Sequence, residues 1–156
     1  MTAAALAAGD GATTALAPHS PLGAPLPLRQ ARAGGLVVTA LGLGCMGMSD
    51  AYGPRDEQGS LDTLARALEL GVTLLDTAEI YGRGANEELL GRFLRGRRDQ
   101  VVLAPKFGII QDPSLPNDPS KRSYDGSPAR VRSSIEGSLR RLGTDHVDLY
   151  YHHRPD

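Results

Sequence analysis

The sequence predicts an α/β protein built on a parallel sheet. Three observations predict it. Short apolar runs alternate with longer segments whose apolar residues recur at i, i+3, i+4 and i+7. A glycine follows each of those longer segments, and titratable side chains close successive apolar runs. Such alternation implies right-handed βαβ crossovers between parallel strands. An open doubly wound sheet and a closed (β/α)8 barrel both satisfy it, and periodicity does not choose between them.

The elements follow in order. Residues 1 to about 28 are rich in Ala, Pro, Gly and Thr, with Asp10 as the only charged side chain, and read as a disordered extension before a domain over 29–156. Val37, Val38 and the run 41–44 read as short strands separated by a turn. A polar loop, 49–59, precedes a helix whose face is Leu61, Leu64, Ala65 and Leu68, stopped by Gly71 in the left-handed position. The run 72–75 is the next strand. Asn86 is an expected N-cap for a second helix, with Glu87 and Glu88 in its first turn and Leu89, Leu90, Phe93 and Leu94 on its buried side. Strand 101–104 follows. Residues 107–126 show no clear element, and a connection that long is usually functional or disordered. Ser127-Pro128 opens a third helix with an apolar stripe of Val131, Ile135, Leu139 and Leu142, stopped by Gly143. The run 147–151 is the last strand.

Composition excludes several classes. A formal net charge of −1 offers no electrostatic reason for a nucleic-acid or anionic-membrane partner. A single cysteine, Cys45, rules out a disulfide framework and a multi-cysteine zinc site, and the four histidines lack metal-ligand spacing, so no metal is expected. No apolar run approaches the roughly 20 residues that span a bilayer. A reducing, cytoplasmic setting fits these features.

One glycine motif misleads. Residues 42–47, GLGCMG, match G-x-G-x-x-G, the turn that opens a helix in a dinucleotide-binding Rossmann unit. Gly53 and Pro54 follow too soon for a helix to begin there. The better reading is a strand whose glycines allow close approach by another backbone or a ligand.

The chemistry lies at the strand ends. Asp76 follows the run 72–75, Tyr81 lies in the loop just beyond, Lys106 closes 101–105, and His152 and His153 close 147–151. In a barrel these ends share one face, where active sites are built. A tyrosine is a weak acid with a reference pKa of about 10, and a neighbouring ammonium favours its phenolate. Lys106 can act on Tyr81, Asp76 can hold Lys106, and a histidine can position a substrate oxygen. Each residue alone has an ordinary structural reading as a cap, a packed tyrosine or an ion pair. Their joint placement carries the case, because hydride addition to a carbonyl needs a proton at the oxygen.

A family resemblance rests on four segments. LGLGCMGMS, 41–49, resembles the opening strand of bacterial aldo-keto reductases. LLDTAEIYGRGANEELLGRFL, 74–94, resembles their signature around the catalytic Asp and Tyr, and VVLAPKFG, 101–108, the segment bearing the catalytic Lys. VDLYYHHRPD, 147–156, resembles the strand that ends in the catalytic His. The resemblance covers about residues 28–156 and implies a TIM (β/α)8 barrel, of which this chain supplies about the first four β/α units and an N-terminal hairpin at 28–40. It implies a catalytic tetrad of Asp76, Tyr81, Lys106 and His153. His153 is preferred to His152 because the family histidine lies five residues after the aspartate matched by Asp148. Gly44, Cys45, Met46 and Asp76 are then expected beside the nicotinamide of NADPH, and Tyr81 and His153 against a small carbonyl substrate. The activity implied is reversible reduction of aldehydes or ketones to alcohols.

A barrel needs eight strands and typically about 250 residues. The chain reaches only its fourth predicted strand, and the family's main NADPH contacts match nothing here. The sequence is therefore expected to be a fragment or a truncated product, inclined to self-associate through open sheet edges. A non-catalytic regulatory protein on the same scaffold, or an inactive remnant, is the alternative; the presence of all four tetrad residues favours the enzyme.

Overall fold

In the computed structural model, residues 25–30, 35–49, 51–112, 114 and 118–154 are described. The expected N-terminal extension lies outside them up to position 24. Its last residue, Leu28, instead begins a strand. Strand β1 (Leu28–Gln30) pairs antiparallel with β2 (Val37–Thr39). The hairpin sits against the N-terminal end of the next sheet: buried Thr39 offers its Oγ1 to the Thr73 amide at 3.2 Å.

The parallel sheet follows. Strand β3 (Gly42–Gly44) pairs with β4 (Leu74–Asp76), which pairs with β5 (Val102–Ala104). After Pro105 the chain continues as β6 (Lys106–Phe107), parallel to β9 (Tyr151–His152). Within β3–β4–β5 each strand lies beside its predecessor, so that sheet grows in one direction, while β6 and β9 form a separate parallel pair. A doubly wound sheet reverses direction at a switch point, and among the described residues there is none. Residues 42–47 contain β3 and a 3₁₀ turn (Met46–Met48), not the start of an α-helix, which disposes of the Rossmann reading.

Helix α1 (Glu57–Glu69) is capped by Asp56, whose carboxylate accepts the Gly59 amide at 2.9 Å. Helix α2 spans Ala85–Leu94 and α3 Pro128–Leu142. Ser127 caps α3, and Gly143, at φ 64°, closes it in the left-handed conformation that glycine adopts without steric cost. The period of two along the strands sorts the sheet faces. Leu75 and Leu103, register partners, are buried with Leu64, Leu90, Phe93 and Leu94 from the helices. Gly44, Asp76 and Ala104 share the opposite face.

Three expectations need correction. Asn86 does not cap α2; Gly84 does, and Asn86 is wholly buried in the first turn. Residues 107–126 are not structureless: β7 (Ile109–Ile110) pairs antiparallel with β8 (Ser123–Tyr124), with a 3₁₀ turn at Pro119–Lys121. Of the stripe Val131, Ile135, Leu139 and Leu142, Leu142 is buried but the other three are only half-buried, whereas Ser134, Gly137 and Ser138 are buried on α3. Near the C-terminal end of α3 the two helices nearly touch. A Cβ added at Gly91 of α2 would lie 2.4 Å from the Arg141 carbonyl oxygen. Among the described residues, no helix is long and apolar enough to cross a membrane.

Candidate active site

The tips of the parallel strands gather the residues picked out by the sequence. Asp76 ends β4, and its register partner on β5 is Ala104. Lys106 lies two residues beyond Ala104, hence on the same face and one step further along. That diagonal brings Lys106 Nζ to 2.5 Å from Asp76 Oδ1. The same ammonium donates to the Thr77 carbonyl at 3.0 Å and to the Tyr81 hydroxyl at 3.1 Å. All three donor positions of the ammonium are thus occupied. The Lys106 side chain is 15% exposed and that of Asp76 37%, so the pair is sheltered but open on one side.

Tyr81 reaches this point through a tight turn. The Tyr81 amide donates to the Ala78 carbonyl at 3.1 Å, and Gly82, Arg83 and Gly84 all take positive φ. Arg83 at φ 57° is unusual for a residue with a side chain, and such strain gathers at functional turns. Across from Tyr81, the ring of His153 stands edge-on with centroids 5.8 Å apart. The His153 amide is fixed by the Phe107 carbonyl at 2.9 Å. Burial, followed by the nearby Lys106 charge, holds the His153 imidazole below its ordinary pKa of 6.5. His152 goes elsewhere: it stacks on Phe107 at 5.1 Å. A cavity of about 580 Å³ opens beside Tyr81 and His153, walled in part by Met46, Ile80, Ile109 and Tyr124.

Of the four residues expected beside a nicotinamide, Asp76 holds Lys106 as described, and the other three part company. Gly44 is exposed, and a Cβ there would meet nothing within 4 Å, so space remains opposite Asp76. Met46 lines the cavity. Cys45 is fully buried. Burial, reinforced by the Asp76 charge, pushes its thiol up to about 12. Its backbone serves instead: Cys45 N donates to the Asp76 carbonyl at 2.9 Å.

Sequence reasoning missed the group that holds these loops together. Asn86 Nδ2 donates to the Cys45 carbonyl at 2.7 Å and to Ser49 Oγ at 2.6 Å, while its Oδ1 accepts from Thr77 Oγ1 at 2.7 Å. One buried amide thereby ties the loop after β3 to the loop after β4. Glu79 was also missed. Its Oε1 accepts from Arg130 at 2.8 Å and from the Gly108 amide at 3.2 Å, locking the Tyr81 loop to α3 and to the end of β6. Asp148, singled out only as a ruler for the histidine, accepts the Leu103 amide at 2.8 Å and Arg98 at 2.7 Å.

Comparison with known proteins agrees with the geometry. The chain matches the Aldo/keto reductase family over residues 40–156 and belongs to that family. It is 41% identical over 119 residues to aldo-keto reductase yakc of Schizosaccharomyces pombe, whose name carries NADP(+); the match covers 75% of this chain and 34% of that protein. It superposes on the holo form of aldo-keto reductase AKR11C1 from Bacillus halodurans with a TM-score of 0.70 and 36% identity, covering 80% of this chain and 39% of that one. An aldo-keto reductase from Klebsiella pneumoniae in complex with NADPH gives 0.59 and 33%, with coverages of 84% and 41%. The chain thus spans about a third of the length of the curated relatives it matches.

Proposed function

We propose that this chain supplies the acid–base half of an NADPH-dependent carbonyl reductase built on a (β/α)8 barrel. One observation carries the reading: Lys106 Nζ bridges Asp76 Oδ1 at 2.5 Å and the Tyr81 hydroxyl at 3.1 Å, at the strand tips beside an open cavity. The residues present fit the cofactor's nicotinamide end. The empty space over Gly44 and the part-exposed carboxylate of Asp76 leave an uncluttered face next to Tyr81, with Met46 at its margin. NADPH, when bound, supplies the hydride.

The chain's own groups handle the proton. Tyr81 gives its hydroxyl proton to the substrate oxygen as negative charge develops there. Lys106 already donates to the phenolic oxygen and stabilises the phenolate left behind. Asp76 and the Thr77 carbonyl fix the ammonium, so no reorganisation is needed at the moment of transfer. His153, neutral near pH 7, can donate one ring N–H to the same substrate oxygen and orient it. In the reverse direction the Tyr81 phenolate accepts the alcohol proton.

The test uses the complete protein, a panel of aldehydes and NADPH, followed by loss of nicotinamide absorbance. Wild type should turn over, and Tyr81→Phe should lose about 10²- to 10⁴-fold in kcat, the span typical of general acid catalysis. Near-wild-type turnover in Tyr81→Phe would remove the tyrosine from the mechanism.

A further inference from the structure

The cavity beside Tyr81 and His153 has a charge pattern that carbonyl reduction does not require. Arg122 and Arg154 are among its lining residues, and among the described residues no carboxylate is. Both arginines stand on fixed backbone. Arg122 joins the 3₁₀ turn Pro119–Lys121 to β8, whose Ser123 and Tyr124 pair with β7. Arg154 directly follows His153, whose amide is bonded to Phe107. The two guanidinium charges are felt at the site, since both oppose a proton on the His153 ring. The rest of the lining is largely apolar or aromatic, including Ile80, Ile109 and Tyr124. A volume of about 580 Å³ suits a small metabolite-sized ligand.

From this arrangement we infer that the substrates of this site are carbonyl compounds carrying an anionic group, a carboxylate or a phosphate, which Arg122 and Arg154 hold while the carbonyl faces Tyr81. This rests on the reductase reading and narrows it. Guanidinium forks match both oxyanion types through paired, charge-assisted hydrogen bonds. The apolar walls seat the carbon skeleton between the two ends. Such anchoring fixes the carbonyl away from the arginines and toward the proton donor, which is where orientation contributes to rate.

Matched pairs test it on the complete protein. Benzaldehyde against 4-carboxybenzaldehyde forms the carboxylate arm, and glyceraldehyde against its 3-phosphate the phosphate arm. Calorimetry of the corresponding alcohols reads binding without turnover. In at least one arm the charged aldehyde should be favoured in kcat/KM by about tenfold or more, and its alcohol should bind correspondingly tighter. Arg122→Ala and Arg154→Ala should each cut that preference about tenfold. Arg95→Ala, an exposed arginine just after α2, controls for net charge and should keep it. Should an alanine variant not fold, Arg122→Gln and Arg154→Gln read the same ratio. No charge preference in either arm, for turnover and for binding, overturns the inference and leaves the reductase reading intact where the neutral aldehydes react. Absence of all turnover, with charged alcohols still bound preferentially, overturns the reductase reading and leaves the anion site. Weakened NADPH binding in the arginine variants with an unchanged aldehyde preference would assign both residues to the cofactor and overturn the inference.

Discussion

Two ion pairs in this molecule look alike on paper and differ in everything their surroundings impose. Lys106–Asp76 stands at the strand tips, its carboxylate 37% exposed, and Tyr81, which Lys106 also meets, lines a cavity. Arg141–Glu87 lies between α2 and α3, with the Glu87 side chain wholly buried and Arg141 Nε 2.6 Å from its carboxylate. The first pair has a third partner, the Tyr81 hydroxyl, that can exchange a proton with something outside. The second has its carboxylate between the helices and serves the helix contact, where Gly91 lets the backbones approach. A charged pair becomes chemical equipment when it is sheltered on three sides and open on the fourth. With the carboxylate fully buried and only the guanidinium reaching the surface, it becomes a stability device with a pH dependence.

The largest effect that would break this contrast is on turnover. Lys106→Met should lower kcat by about 10²-fold or more, because the phenolate formed from Tyr81 loses its ammonium donor. Thermal stability should change far less, since the lysine head lies near the surface of the tips. A variant that unfolds, or one that reduces aldehydes normally, would show the pair to be structural like its counterpart.

The next effect is on stability. Arg141→Ala leaves Glu87 between the helices without a counter-charge, and breaking a buried pair costs about 3 kcal/mol. Burial raises the Glu87 pKa above its ordinary 4.5, with Arg141 only partly opposing the shift. The folded state therefore binds a proton that the unfolded chain releases, so stability is fully present below 4.5 and declines as pH rises through the folded value. Glu87→Gln should flatten that decline in urea titrations between pH 4.5 and 8, while carbonyl reduction persists. A steeper decline in the glutamine variant would contradict the assignment.

Asn86 sharpens the comparison from the polar, uncharged side. Asn86→Ala removes three buried hydrogen bonds, takes from Thr77 Oγ1 its acceptor and leaves the Cys45 carbonyl with the Met48 amide alone. A loss of about 2 kcal/mol is expected, with a rise in KM for NADPH because the loop after β3 is no longer tied to the loop after β4. Equal KM and equal stability would show the amide to be incidental.

What the sequence disclosed follows the same division. Strand-end chemistry was legible because parallel strands with period two place Asp76 and Lys106 on one face, and because each residue closes an apolar run. Helix ends were legible at Gly71, Gly96 and Gly143, all of which take positive φ. Asn86 was misplaced because an asparagine three residues before a leucine pair resembles a cap, and its true partners lie 9, 37 and 41 residues away. The packing face of α3 was misread because hydrophobicity points to Val131, Ile135 and Leu139. Ser134, Gly137 and Ser138 are buried there instead, and the one close backbone approach to α2, at Gly91, involves Arg141 and Leu142 from a distant stretch of sequence. The β7–β8 hairpin escaped because two-residue strands carry no detectable period.

The smallest expected effect is a titration at His153, and its value lies in its signs. Burial is the main cause that depresses its pKa below 6.5; the Lys106 charge adds to this and Asp76 works against it. Between the folded value and 6.5 the unfolded chain binds a proton that the folded chain does not. This group's contribution to stability is therefore fully present above pH 6.5 and is lost as pH falls through the depressed value. Proton NMR of the His153 ring can follow the midpoint directly. Lys106→Met removes a repelling charge and should move the midpoint up, though not fully to 6.5, because burial remains. Asp76→Asn removes an attracting charge and should move it down. Opposite shifts from the two halves of one ion pair mean that the histidine feels the pair as two separated charges aimed at a common point. Shifts in the same direction would mean instead that each substitution acts by loosening the loop and admitting water, and the tips would then be no more organised for proton transfer than the helix interface.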